Sequence, residues 1–402
     1  MSQGTGDGEK DGRKRLRFFY NGAPVIASEG DTVACALVRS GVHIFSRSMK
    51  FHRPRGLYCG SGRCVSCVMR VNGIPGVRTC VLPVSQDMVV ESEGGFPTTR
   101  FDALSVLDHV FRKEFEYRSR FIRPRFLTSL YQTVVRRVAA SARLPDKPSE
   151  YPRLFERPCE VLVIGQGVSG AVASASLRGA GIRGVVSIDR MQESDERIPS
   201  VAFGVYEGGE VGVQANNGIQ ILRPRIILLA TGRFETGLPL VNGDLPGVML
   251  TSALFQLASR RVAPGKRAVI IGRNDYRAQV TRSFESVGTE LLGDFEDPAL
   301  VSRVIGRNRV SGVELAGSRR KLNCDAVVVL GPLVPAVELA QQAGCEPLPK
   351  EGFMIVRTDS VGRTSVPNIY ACGGVAGFWD FDGRVASAKR AAAAIVNELE
   401  AG

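Results

Sequence analysis

Four cysteines restrict this chain more than any other feature. The stretch Arg53-Pro-Arg-Gly-Leu-Tyr-Cys59-Gly-Ser-Gly-Arg-Cys64-Val-Ser-Cys67 holds three of them in a C-x4-C-x2-C run, and Cys80 follows from a neighbouring segment. Two sulfide-bridged irons need three thiolates from one tight loop and a fourth from a second element, and this is the spacing of all-cysteine [2Fe–2S] sites. Gly60 and Gly62 let the loop curl through positive φ and aim N–H groups at sulfur. Zinc is the alternative, but zinc sites usually pair two C-x2-C hooks, and Cys64-Val-Ser-Cys67 is a single hook. A disulfide framework fits less well. The polar opening residues show no apolar signal segment, and nine cysteines with four in a cluster pattern suit a reducing cytosol. Cys59, Cys64, Cys67 and Cys80 are therefore the expected metal ligands. Cys35, Cys159, Cys324, Cys345 and Cys372 lie in apolar contexts and read as buried small hydrophobes.

At 402 residues the chain has room for roughly two to four domains. Its net charge of +12 is concentrated near the start, at Arg13-Lys14-Arg15, Arg47 to Arg55, Arg112 to Arg125 and Arg136-Arg137. Such runs are ordinarily solvated faces; the sharper reading is an electropositive surface for an acidic subunit or redox partner. No nucleic-acid motif accompanies the charge. No apolar run approaches the ~20 residues that span a bilayer, so no transmembrane segment is expected. The expectation is a cytoplasmic protein, reaching a membrane surface through a partner if at all.

Local signals give the first domain a layout. Residues 15–28 read as a hairpin around Asn21-Gly22. The segment from Glu29 to Gly41 reads as a capped helix ending at a glycine. Val68 to Ile74 repeats the Asn-Gly turn, and Val89 begins a closing strand. Hairpin, helix, cysteine loop and closing strand make the β-grasp arrangement of ferredoxins.

With Phe45-Ser-Arg-Ser-Met-Lys-Phe-His-Arg-Pro-Arg-Gly56 the resemblance becomes specific. The segment resembles the N-terminal domain of the α subunits of heterotetrameric sarcosine oxidase, opine oxidases, hydrogen cyanide synthase and dye-linked proline dehydrogenases. Sarcosine oxidase itself typically lacks the cluster cysteines, so their presence here points to the cluster-bearing relatives. Residues 96–156 carry Phe111, Phe115, Tyr117, Phe121, Phe126 and Tyr131 at irregular helical spacing, and Pro124 breaks the run. They resemble that family's helical connector, with the aromatics as packing between domains.

A second anchor is Cys159-Glu-Val-Leu-Val-Ile-Gly165-Gln-Gly167-Val-Ser169-Gly170. A buried strand enters G-x-G-x-x-G and an Ala-rich helix, and Asp189-Arg190 closes a second strand. The helix N-terminus takes a pyrophosphate, the glycines let backbone approach it, and Asp189 accepts ribose hydroxyls. Ala230-Thr231-Gly232 and the stretch from Thr364 to Gly373-Gly374 resemble the strand-turn and flavin-closing motifs of two-domain flavoproteins. The expected cofactor residues are thus Gly165, Gly167, Ser169, Gly170, Asp189, Arg190, Thr231, Gly232, Gly373 and Gly374, and the expected cofactor is FAD. Gly374 replaces the family's aspartate, and the excursion between Asp189 and Thr231 is short. These departures leave room for a truncated or adenine-only nucleotide, or for FMN at a subunit boundary.

Lys266 to Arg277 begins a second nucleotide fold, but of its fingerprint only Gly272 survives and Arg277 stands at the third glycine. The eroded motif argues against NAD. The expected organisation is α/β and multidomain: a β-grasp [2Fe–2S] domain at 1–95, a helical connector at 96–156, and a Rossmann-like FAD domain at 157–265 and 325–402. A degenerate NAD-type domain is inserted at 266–324.

The three histidines, His43, His52 and His109, all lie in the first third. No nucleophile elbow is present, and the one C-x-x-C belongs to the cluster run, which argues against a disulfide reductase. Catalytic residues stay unassigned. The resemblance implies an electron-transfer, α-type subunit of an amine or amino-acid dehydrogenase or oxidase of the sarcosine, opine, proline or glycine class. In such a hetero-oligomer an FAD-dependent β subunit oxidises the C–N bond. Electrons pass through flavin to the cluster and on to an acceptor protein, quinone or dye. The competing readings are a self-contained NAD(P)H-dependent ferredoxin reductase with a fused ferredoxin domain, and a cluster-bearing scaffold without flavin.

Overall fold

The computed structural model describes residues 13–48, 52–95, 98–102, 145, 154–190, 200–215, 218–318 and 320–401. The aromatic positions of the 96–156 connector, and residues 191–199 after Arg190, lie outside these. The chain divides into two compact units, Met1–Ser149 with Glu235–Pro332, and Glu150–Phe234 with Leu333–Gly402.

In the first unit a five-stranded sheet runs in the order Ala23–Ser28, Arg15–Tyr20, Val89–Glu91, Val68–Val71, Ile74–Arg78. Asn21 and Gly22 both take positive φ, which a two-residue hairpin turn of matching twist demands. Asn72 and Gly73 do the same in the second hairpin. The Val33–Arg39 helix starts where Thr32 Oγ1 accepts the Cys35 N–H at 3.3 Å. Asp31, fully buried, accepts the Ser28 N–H at 2.8 Å and pairs with Arg39.

The rest of this unit is a four-stranded parallel sheet in the order Val248–Leu250, Ala326–Leu330, Arg267–Gly272, Glu290–Phe295. Two helices accompany it, Thr251–Ser259 and Arg277–Ser286, together with a small antiparallel sheet from Val301–Gly306, Val310–Leu315 and Lys321–Leu322. The inserted fold is therefore wider than 266–324. Its edge strand comes from Val248–Leu250, because that strand pairs in register with Val327, Val328 and Val329. The β-grasp part and this fold share one apolar core, in which Phe18, Leu37, Met69 and Val90 belong with Ala253, Leu254, Leu257 and Ile270.

Two arginines of the basic loop have partners within the unit. Arg47 is buried, donating from Nε to Thr99 O at 2.7 Å and from Nη2 to Asn308 Oδ1 at 3.1 Å. Arg53 pairs with Asp244. A docking face made of the whole run is thereby reduced by these two residues.

Burial pushes the His43 imidazole down to about 4, with the Arg309 charge adding to it and Asp325 opposing. A histidine held neutral in the fold but free to protonate when unfolded contributes its full stability above about pH 6.5 and loses it as the pH falls towards 4. Acidifying from about pH 7 to about pH 4.5 should therefore cost wild type about 1–2 kcal/mol more than His43→Gln, after allowance for partial exposure. Urea unfolding at both pH values checks this, and equal losses contradict it.

The second unit is built on Leu154–Ile164, which pairs in parallel with both Val185–Ile188 and Gly218–Leu229. Ile369–Ala371 adds to the far end of Gly218–Leu229, and Val201–Val205 and Val211–Ala215 extend the sheet in antiparallel fashion. Val161 to Ile164 and Ile226 to Leu229 are all buried, as parallel strands covered on both faces must be. Two helices, Val168–Gly179 and Phe381–Ala401, pack on one face around Val161, Val163, Ala173, Leu177, Ala388 and Ile395.

A four-thiol loop and two unequal dinucleotide folds

The loop between Arg55 and Val68 brings Cys59, Cys64 and Cys67 together, and Cys80 joins them from just beyond Ile74–Arg78. Gly60 and Gly62 take φ of 64° and 71°. Three N–H groups point at sulfur: Ser61 and Cys64 donate to Cys59 Sγ, each at 3.4 Å, and Gly62 donates to Cys80 Sγ at 3.3 Å. Cys67 is held by its carbonyl, which accepts from Thr79 Oγ1 at 2.6 Å. Cys59, Cys67 and Cys80 are buried and Cys64 is half-buried.

The thiols are linked in series. Cys59 is within hydrogen-bonding reach of Cys64 and of Cys80, and Cys67 of Cys80. A hydrogen bond from Cys64 pulls the Cys59 thiol down, and one from Cys80 does the same to Cys67. Among the described residues no three His, Cys, Asp or Glu side chains are placed to hold one metal ion. The C-x4-C-x2-C run with a fourth cysteine, and N–H donors on the Cys59 and Cys80 sulfurs, is the donor set that a [2Fe–2S] cluster would need. The five remaining cysteines are buried free thiols, as their apolar contexts led us to expect.

The first dinucleotide fold has the close approaches that its glycines permit. A Cβ on Gly165 would lie 2.3 Å from Ala230 O, and one on Gly170 would lie 1.8 Å from Gly165 O. A Cβ on Gly167 would meet no atom within 4 Å. Gly167 caps the Val168–Gly179 helix with no side-chain partner, which leaves a polar N-terminus suited to pyrophosphate. Asp189 lies just past Val185–Ile188, where its Oδ2 accepts the Gln166 N–H at 2.8 Å. Arg190 follows it. Thr231 Oγ1 donates to Ala336 O at 2.7 Å, beside Gly232. Gly373 is pressed on Ser169, where a Cβ would come 2.1 Å from Ser169 Oγ, and its N–H donates to Ser387 Oγ at 3.1 Å.

Sequence reasoning missed what fills the space of the absent aspartate. A Cβ on Gly374 would lie 2.9 Å from Arg233 Cγ. The Arg233 guanidinium sits 5.2 Å from the Trp379 ring centre and donates to Trp379 O at 3.3 Å. The available signal was the chain's one tryptophan, five residues after the glycine pair.

In the second fold an arginine lies across the glycine turn. Arg277 donates from Nη2 to Gly272 O at 2.6 Å and pairs through Nη1 with Asp294 on the Glu290–Phe295 strand. A guanidinium thus lies against the glycine turn and pairs with an acid near the end of the second strand. These are the two features that a dinucleotide's pyrophosphate and ribose would need.

Comparison with known proteins finds two families along the chain. Residues 13–95 match the 2Fe-2S iron-sulfur cluster binding domain family, and residues 294–394 match the pyridine nucleotide-disulphide oxidoreductase family. Sarcosine oxidase subunit alpha of Rhizobium meliloti is 25% identical over 458 aligned residues, covering 96% of this chain and 46% of that protein. The chain thus spans about half the length of that relative. Hydrogen cyanide synthase subunit HcnA of Pseudomonas aeruginosa is 33% identical over 90 residues, which is 22% of this chain and 82% of HcnA. The crystal structure of L-proline dehydrogenase from P. horikoshii superposes with a TM-score of 0.71 at 17% identity, covering 98% of this chain and 75% of that one. The two family matches carry the cofactor set, a [2Fe–2S] cluster and FAD. Homologous to the sarcosine oxidase α subunit along nearly its whole length, the chain belongs through its first domain to the family of HcnA, to which it is a third identical over most of that smaller protein, and which shares its 2Fe–2S cluster binding domain.

Proposed function

We propose that this chain is the electron-transfer subunit of an amine- or amino-acid-oxidising dehydrogenase or oxidase, of the sarcosine, opine, proline or glycine class. Its substrate site belongs to a partner β subunit that carries its own FAD. Cys59, Cys64, Cys67 and Cys80 hold the cluster. Gly165, Gly167, Ser169, Gly170, Asp189, Arg190, Thr231, Gly232, Gly373 and Gly374 hold FAD, or an adenine nucleotide if FMN sits at the subunit boundary. A bound flavin supplies the conversion from electron pairs to single electrons that a [2Fe–2S] cluster requires. The chain's own residues would orient both cofactors: N–H groups face the thiols, and a helix N-terminus without a side-chain cap would receive the phosphates. The acceptor is a protein, quinone or dye. Among the described residues no helix is long and apolar enough to cross a membrane, and the assembly works in the cytoplasm.

The observation that carries this reading is Arg277. With its guanidinium on Gly272 O and Asp294, the chain itself takes up groups at the turn where a nicotinamide donor would bind, which supports a donor carried by another chain. Purification from the native host tests it. A second flavoprotein should co-purify, an amine substrate should bleach the complex, and NADH should not reduce the isolated chain at a useful rate. Rapid bleaching by NADH would instead make the chain a self-contained ferredoxin reductase.

A further inference from the structure

Gly60 lies inside the cysteine run, between Cys59 and Cys64, and its carbonyl accepts a hydrogen bond at 2.5 Å from Nε2 of Gln256. Gln256 is buried on the Thr251–Ser259 helix, which belongs to the inserted nucleotide-type fold rather than to the β-grasp part. Its other end is also committed. Gln256 Oε1 accepts from Cys35 Sγ at 3.8 Å, and Cys35 is a buried thiol on the β-grasp helix. With Cys35 donating on one side and Gly60 accepting on the other, the amide has one orientation.

The helix lies directly against the loop. A Cβ on Gly60 would come 2.4 Å from Ala253 Cα and 2.6 Å from its N. The Leu250 N–H donates to Tyr58 O at 2.8 Å just ahead of the helix. Glu235 secures the helix start by accepting from Ser252 N and Ser252 Oγ, both at 3.0 Å, and from Thr251 Oγ1.

In a trans peptide the C=O and the following N–H point in opposite directions. Holding Gly60 O on Gln256 therefore turns the Ser61 N–H the other way, where it meets Cys59 Sγ at 3.4 Å. The next N–H, from Gly62, meets Cys80 Sγ. Hydrogen bonds to cluster sulfurs favour the state with one more negative charge, and so set the reduction potential.

We propose that Gln256 is a positioning residue for the cluster. On this view the eroded second nucleotide fold has kept a helix whose task is to fix the Gly60–Ser61 peptide and thereby raise the midpoint potential. The inference rests on the reading of the four cysteines as [2Fe–2S] ligands. The event concerned is uptake of one electron, from dithionite in the test, with no bond made or broken.

The test is a midpoint titration of the full chain, followed by visible absorption and low-temperature EPR. Gln256→Leu, with iron and sulfide content unchanged, should lower the midpoint by about 59 mV, a tenfold change in a one-electron equilibrium. Gln256→Asn, too short to reach Gly60, should shift it in the same direction. Cys35→Ala should give a smaller shift alone and no further shift in the Gln256→Leu background, because it acts only through the amide. If Gln256→Leu fails to load its cluster, Gln256→Asn and Cys35→Ala decide by the same criterion. A loaded variant with an unmoved midpoint, or fully additive shifts, overturns the inference. Wild-type protein without iron and sulfide would instead overturn the ligand reading beneath it.

Discussion

Replacing Cys67 by serine is expected to leave a protein with no cluster. Cys67 is 1% exposed, its carbonyl is tied to Thr79, and its sulfur is paired with Cys80. A serine hydroxyl there is a poor ligand for sulfide-bridged iron and cannot swing away, because the backbone on both sides is held. Iron and sulfide should fall from about two each per chain to under about a tenth of that, with loss of the visible absorption. Flavin content should stay near the wild-type value, since the second unit has apolar cores of its own around Leu162 and Val163. Colorimetric iron and sulfide analysis with acid extraction of flavin reads all three quantities. A Cys67→Ser protein with a full cluster would mean that another residue ligates the metal.

Gly170→Val should strip the nucleotide. With a Cβ only 1.8 Å from Gly165 O, any side chain at 170 pushes the Val168–Gly179 helix off the strand and turns its N-terminus away from the phosphates. The loss in FAD affinity should exceed about tenfold, or about 1.4 kcal/mol, accompanied by a lower melting temperature. Gly167→Ala makes the informative contrast. Its Cβ meets no protein atom within 4 Å, so the fold should keep its melting temperature while affinity still falls, because the new methyl projects into the space a phosphate needs. Isothermal titration with FAD beside thermal melts separates the two. Equal affinity in all three proteins would place the nucleotide elsewhere.

What could be read from the sequence was whatever is encoded over short separations. The hairpin turn at Asn21-Gly22, the capped helix ending at Gly41, the thiol spacing and the strand–glycine–helix succession at Gly165 to Gly170 each depend on residues a few positions apart. The interactions that give the molecule its particular character do not. Gln256 reaches Gly60 across 196 positions, and Arg233 reaches Trp379 across 146. Hydrophobic patterning says that a face is buried but not against what. It therefore could not show that Leu37 of the β-grasp helix and Leu257 of the inserted fold belong to one core. The missing glycine at Arg277 was visible as a defect. That the arginine turns back onto Gly272 and Asp294 required the fold, because Asp294 is an ordinary strand residue until the helix brings the guanidinium to it. The extent of the insertion was underread for the same reason: Val248–Leu250 is too short to declare its sheet until Ala326–Leu330 is seen to pair with it.

The most direct test of the account is the metal content of the chain as isolated under anaerobic conditions. The four thiols, linked in series with N–H donors on the Cys59 and Cys80 sulfurs, should yield about two iron and two sulfide per chain, with the EPR signal of a [2Fe–2S] centre on reduction. One zinc per chain, with no sulfide and no signal, would contradict it.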